Sequence, residues 1–124
     1  MLLLFMIFFH IVDDYYLQGI LAKMKQREWW QRNAPGGLYE HDYVMALIMH
    51  GFSWAFMIML PIAYKVEFAI SLLFCIMFVA NMVVHIIVDH LKANCGKLNL
   101  IQDQLIHLGQ ILITFAVSSF FLIG

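Results

Sequence analysis

Phe68-Ala-Ile-Ser-Leu-Leu-Phe-Cys-Ile-Met-Phe-Val-Ala-Asn-Met-Val-Val-His-Ile-Ile-Val-Asp-His-Leu91 decides the fold. Its 24 residues contain no glycine or proline, and Asp89, near the end, is their one carboxylate or formal cation. A helix of that length crosses a hydrocarbon core that needs about 20 residues. Upstream, across a short turn at Lys65 and Glu67, residues 43–64 form a second apolar run with Pro61 near its far end. The two predict a helical hairpin. Downstream, the segment from Lys92 to Asn99, with Gly96 as a helix C-terminal cap, leads into a third apolar run over residues 100–123.

At the start of the chain, residues 2–22 form another hydrophobic run. It has neither the basic leader nor the small-residue cleavage site of a signal peptide, so it is expected to persist as a span. Between it and residue 43 lies a polar and aromatic connection with Lys23, Lys25, Arg27, Trp29, Trp30 and Arg32. The breaker string Asn33-Ala34-Pro35-Gly36-Gly37 follows it. The expected fold is all-α: an integral membrane four-helix bundle with a short interfacial helix between spans 1 and 2. Residues 1–124 form a single four-span transmembrane domain.

Composition agrees. Hydrophobic residues make up 64% of the chain and charged residues 12%, far from the roughly 25% charged of a soluble domain. Mean hydropathy is +0.85. A formal net charge of -1 gives no reason to expect a nucleic-acid partner. Cys75 lies mid-span and Cys95 in a turn, which fits neither a disulfide framework nor a paired zinc motif. Six of the seven Lys and Arg residues (Lys23, Lys25, Arg27, Arg32, Lys92, Lys97) fall in the first and third connections. The positive-inside rule therefore puts those connections in the cytoplasm and both termini outside. Trp29, Trp30 and Tyr39 would anchor the cytoplasmic interface, with membrane lipids as neighbours.

Seven ionisable side chains interrupt these spans, six of them in helical pairs: His10 with Asp14, His85 with Asp89, Asp103 with His107, and His50 alone. A carboxylate at mid-bilayer costs roughly 2.5–3.5 kcal/mol, so three of them need a compensating partner. Residues four apart share a helix face. At 1.5 Å per residue, Asp14, His50, His85 and His107 all fall about 9–12 Å from the cytoplasmic ends of their spans. Gln18, Asn81, Gln110 and Thr114 extend the polar stripes, which marks those faces as the interior.

Imidazole nitrogen with carboxylate oxygen is a donor set for zinc first, and for iron or manganese. His10, Asp14, His85, Asp89 and His107 are the expected ligands. His50 and Asp103 serve as ligands, orienting partners or the base that takes a proton from water. Seven donors exceed the three protein ligands of an open catalytic zinc, which leaves one or two ions open. Lys92, with Gln18, stands toward the cytoplasmic mouth, where its ammonium could hold an anionic head group. Glu40, His41 and Asp42 read as water-boundary residues, and His90 falls off the Asp89 face. Asp13, about 100° round from Asp14, is expected to support the site or to touch a neighbouring subunit.

The blocks His10-Ile-Val-Asp-Asp14-Tyr-Tyr-Leu-Gln18, His85-Ile-Ile-Val-Asp89-His-Leu-Lys92 and Asp103-Gln104-Leu-Ile-His107, in that order, resemble the small bacterial and phage integral membrane family catalogued as domain of unknown function 3307. The resemblance covers nearly the whole chain. It implies the bacterial inner membrane and supplies no activity. A looser similarity, in the His-x-x-x-Asp block alone, runs to bacterial membrane proteins described as metal-dependent hydrolases, and that is analogy.

The expected function is an intramembrane metal-dependent hydrolase acting on a lipid or membrane-delivered substrate, a phosphoester or an amide. Asp103, His50 and Lys92 would be its catalytic groups. A proton- or metal-ion transporter or channel subunit, which with four helices would need a homo-oligomer, is the second expectation. A non-enzymatic scaffold with a structural metal is the third.

Overall fold

The computed structural model describes residues 1–124 and is all-helical. Six α-helices run in chain order: α1 Leu2–Val12, α2 Leu21–Met24, α3 Arg27–Asn33, α4 Asp42–Lys65, α5 Leu72–Ala93 and α6 Leu100–Ser118. The expected count of four long helices and one short one is thus corrected. Three segments, Gly37–Lys65, Leu72–Ala93 and Leu100–Ile123, are helical, long enough and apolar enough to cross a membrane.

The first helix is shorter than expected. After α1 the chain widens into a π turn over Asp13–Leu17, whose closing bond runs from the Gln18 N–H to the Asp13 carbonyl at 3.1 Å. Gly19 then adopts φ +51°, a left-handed conformation that glycine enters without steric cost, and ends the helix before residue 22. The single expected interfacial helix is broken into α2 and α3, followed by a 3-10 turn at Gly37–Tyr39.

The other boundaries have local causes. α5 begins at Leu72, four residues past the expected start. Glu67 and Phe68 have positive φ in the link, and the Ser71 hydroxyl caps the helix by accepting the Phe74 N–H at 3.2 Å. α6 opens on a capping box in which Asn99 and Gln102 bond reciprocally, at 2.9 and 3.0 Å. Gly96, expected as a cap, lies in the turn before it with φ +60°.

Helices α1, α4, α5 and α6 pack in a ring: α1 on α4, α4 on α5, α5 on α6 and α6 on α1. The tightest crossing is at Gly51, where an added Cβ would lie 2.5 Å from Ile86 Cγ1 and 3.3 Å from the Met82 carbonyl. That approach brings His50 beside His85. One end of the ring is filled by an apolar core of Met6, Trp54, Ile58, Met59, Ile62 and Ile111 with their neighbours. Toward the other end the interior is polar, with His10, Asp13, Asp14, His50, His85, Asp89, Asp103 and His107 all buried. The outward faces carry Leu4, Phe8, Met49, Phe52, Ile76, Val83, Leu105 and Ile113. A polar interior behind an apolar surface inverts the water-soluble pattern and suits a lipid solvent.

Candidate metal centre

Every side chain singled out in the sequence as a ligand is buried in this one layer, but the layer has internal structure. Asp14 Oδ1 and Asp89 Oδ2 each face the two imidazole nitrogens His50 Nε2 and His85 Nε2. His50 Nε2 lies 3.3 Å from Asp14 Oδ1, 3.1 Å from His85 Nε2 and 3.5 Å from Asp89 Oδ2. His85 Nε2 lies 3.9 Å from Asp14 Oδ1 and 3.7 Å from Asp89 Oδ2. Ligands held at 2.0–2.1 Å on a tetrahedral zinc are about 3.3–3.4 Å apart, so a small inward movement of this set would complete a coordination shell. The donors come from the π turn after α1, from α4 and from α5. The donor set therefore fits a divalent ion.

A second group shares Asp89. His107 Nε2 is 3.7 Å from Asp89 Oδ1 and 3.4 Å from Asp103 Oδ1. Two lysines bond these carboxylates: Lys25 Nζ donates to Asp89 Oδ2, the same oxygen that faces His50 and His85, and Lys92 Nζ donates to the outer oxygen of Asp103, Oδ2, both at 2.7 Å. Lys92 was expected to wait for an anionic head group and instead has Asp103 as its partner. Lys25, read from sequence only as an orienting charge, reaches into the site. Gln18 lies off it, bonded to the Asp14 carbonyl.

His10 is the one expected ligand outside both groups. The Trp54 indole N–H donates to His10 Nδ1 at 2.8 Å. Because an indole nitrogen can only donate, Nδ1 must accept, which leaves the proton on Nε2 to reach Gln104 Oε1 at 3.1 Å. The Gln104 amide then donates to Asp14 Oδ2 at 3.1 Å and to Asp103 Oδ2 at 3.0 Å. Trp54, His10 and Gln104 form a chain of fixed polarity that ends on one carboxylate of each group. Both ring nitrogens of His10 are taken, and its place is behind the donors.

Asp13 turns inward as well. It is fully buried, accepts from the Ser53 hydroxyl, and sets Oδ2 3.5 Å from His50 Nδ1. Neither of those two atoms has another partner. A carboxylate behind a ligating imidazole fixes the ring so that its other nitrogen offers a lone pair. Sequence reasoning did not assign Trp54, Ser53, Gln104 or Lys25. A signal existed for two of them: Trp54 shares the His50 face one turn on, and Gln104 sits inside the Asp-Gln-x-x-His block. Glu40 and His41 are exposed, and His90 stacks on Tyr43 with ring centroids 6.1 Å apart, away from the centre. Cys75 and Cys95 are free and exposed.

Fold and site together define a class: small all-helical chains with lipid-compatible exteriors and a buried nitrogen-and-oxygen donor centre. Within it, this chain belongs to the family described as protein of unknown function DUF3307, whose model matches residues 1–123. No curated protein and no solved structure matches it.

Proposed function

We propose that the chain is a membrane-embedded, metal-dependent hydrolase of the bacterial inner membrane. Its four helices α1, α4, α5 and α6 form a transmembrane bundle with both termini outside. The resident ion is zinc, with iron or manganese as substitutes. The observation that carries the reading is the set Asp14, His50, His85 and Asp89, in which the two imidazole nitrogens lie 3.1 Å apart and each lies 3.3–3.9 Å from both carboxylates, without a thiolate among them. Thiolate ligands mark many closed structural zinc sites, whereas mixed imidazole and carboxylate sets serve hydrolysis. An ion bound there supplies Lewis acidity, acidifying water and polarising a phosphoryl or carbonyl oxygen.

The chain's own groups do the rest. Asp13 orients His50. Gln104 holds Asp14 and Asp103 in register. Lys25 and Lys92 are paired with Asp89 and Asp103 and hold those carboxylates in place, so a phosphoester and an amide both stand as substrate classes. A cleft of about 440–550 Å³ class would admit a headgroup; the one between α1 and α6 measures about 550 Å³ and has Ile7, Ile11 and Leu108 on its walls and His10 and Gln104 in its lining. It reaches the supporting His10 and Gln104 from the lipid side, and none of the four proposed donors lines it.

The test is metal analysis of detergent-solubilised protein purified at neutral pH without chelators, followed by phospholipid hydrolysis with the loaded protein. We expect at least about one equivalent of zinc, iron or manganese, lost together with turnover in Asp14→Asn and His85→Ala. Wild-type protein without metal removes the reading.

A transport reading has one observation in its favour. His107 Nδ1 bonds Gln110 Oε1 at 3.1 Å, Gln110 donates to the Asn81 carbonyl at 3.2 Å, and Asn81 bonds Thr114 at 2.9 Å, which extends the polar chain along α6. Beyond it, the Ser118 hydroxyl turns back to the Phe115 carbonyl, and the apolar core fills the ring. Flux in proteoliposomes that is abolished by Asp89→Asn would establish transport in place of hydrolysis.

A further inference from the structure

His107 carries an unresolved electrostatic problem. Its ring is fully buried and its Nε2 has no hydrogen-bond partner. The state of that nitrogen is set from the opposite side of the ring. The Gln110 amide nitrogen donates to the Asn81 carbonyl at 3.2 Å and lies 3.4 Å from Asn81 Oδ1, which turns Gln110 Oε1 toward His107 Nδ1 at 3.1 Å. An amide oxygen only accepts, so Nδ1 carries the proton and the neutral ring has its lone pair on Nε2. That lone pair faces Asp103 Oδ1 at 3.4 Å and Asp89 Oδ1 at 3.7 Å. Asp103 Oδ1 is likewise buried and unpartnered, because its Lys92 and Gln104 bonds both go to Oδ2. Three electron-rich atoms face one another there, and either a metal cation or a proton on His107 Nε2 would relieve them.

We propose that His107 Nε2, Asp103 Oδ1 and Asp89 Oδ1 form a second divalent-cation position, joined to the first through the Asp89 carboxylate. The proposal rests on reading Asp14, His50, His85 and Asp89 as the first position. Asp89 suits the bridge because its two oxygens face different groups: Oδ2 faces His50 and His85, and Oδ1 faces His107. Gln104 spans the same divide, with one amide donating to a carboxylate on each side. Such an arrangement brings two ions to the spacing of about 3.5–4 Å that carboxylate-bridged hydrolytic centres use. Asp103 becomes a ligand, with Lys92 holding its outer oxygen. A proton on His107 Nε2 is the competing occupant of the same spot.

The experiment counts ions in the full-length protein in detergent, loaded with Mn(II) and freed of excess, for wild type, His107→Gln and Asp103→Asn. We expect about two ions per chain in wild type and about one in each variant. One ion in all three proteins overturns the second position and leaves the first standing, with the proton as occupant. Two ions in all three place the second ion elsewhere and also overturn it. No ion in wild type removes both readings. If a variant loses its helical circular dichroism, the electron paramagnetic resonance of Mn(II)-loaded wild type decides: an exchange-coupled pair supports the bridge, and an isolated-ion spectrum overturns it.

Discussion

His10 lies behind the donors although its spacing suggests a ligand, and Asp13 lies beside the far nitrogen of His50. His10 sits four residues before Asp14, the same interval that pairs His85 with Asp89, so sequence periodicity cannot separate a ligand from a support. What separates them is Trp54, which comes from another helix and occupies His10 Nδ1 at 2.8 Å. Removing that donor leaves a buried nitrogen without a partner, and Trp54→Phe is expected to cost about 1–3 kcal/mol in stability. Both Trp54→Phe and His10→Ala should retain bound metal in elemental analysis, while His85→Ala loses it; a metal-free His10→Ala protein that keeps its fold would make His10 a ligand after all. Asp13→Asn removes the charge behind His50 and keeps the shape. Its metal affinity, measured by competition with a chromophoric chelator, should fall about 10–100-fold. The proposed donors Asp14, His85 and Asp89 were legible, with His50 open between ligand, orienting partner and base, because ionisable residues are rare in apolar runs and therefore stand out. Trp54 and Gln104 were not, because an indole or an amide in a span is ordinary until its partner across the bundle is known.

The elements deliver these residues through features that hydropathy does not record. Residues 2–22 read as one apolar run because Leu17, Ile20, Leu21 and Ala22 are hydrophobic, yet the π turn over Asp13–Leu17 and the left-handed Gly19 end the helix at its polar stretch. Gly19 was the visible signal, and a lone glycine in an apolar run is weak evidence by itself. The later helices were more legible: the apolar run over residues 100–123 starts where the structure forms a capping box at Asn99 and Gln102, and Pro61 lies near the end of α4 as read. Gly51 matters most for the site, because it follows His50 and sets the distance between α4 and α5. Gly51→Ala puts a methyl 2.5 Å from Ile86 Cγ1 and 3.3 Å from the Met82 backbone carbonyl, so Ile86 must shift and the helices separate by a few tenths of an ångström. Overpacking of this kind costs about 1–3 kcal/mol. We expect weaker metal binding as well, as His50 is moved off His85. Gly109→Ala, whose Cβ would meet nothing within 4 Å, is the matched control and should leave both stability and metal content unchanged. Equal behaviour of the two variants would mean that the α4 and α5 crossing does not set the donor spacing.

Taken whole, the molecule encloses more negative charge than its own cations balance. Asp13, Asp14, Asp89 and Asp103 are buried, and Lys25 and Lys92 are the ammonium groups bonded to them, so with neutral histidines two negative charges remain in excess. Burying uncompensated charge costs several kcal/mol per ion; one divalent cation removes the excess, and a second brings two positive charges for hydroxide or an anionic substrate to balance. Stability should therefore depend on metal. Ligand at 100 times its dissociation constant stabilises by about 2.7 kcal/mol, and relief of repulsion among the aspartates is already contained in that affinity. Chelation of wild type should lower its melting temperature in detergent, and restored zinc should raise it again. The double variant Asp13→Asn with Asp14→Asn removes the two carboxylates that have no lysine partner, keeps side-chain size and leaves the Lys25–Asp89 and Lys92–Asp103 pairs in place. It should melt at one temperature with or without chelator, and above metal-free wild type, because the amides no longer repel Asp89 and Asp103. A wild type indifferent to chelator, or a double variant less stable than the metal-free wild type, would mean that the interior is balanced by protons on the histidines. The membrane then has to tolerate that proton load at each pH, and melting of the wild type would become steeply pH-dependent where the double variant would not.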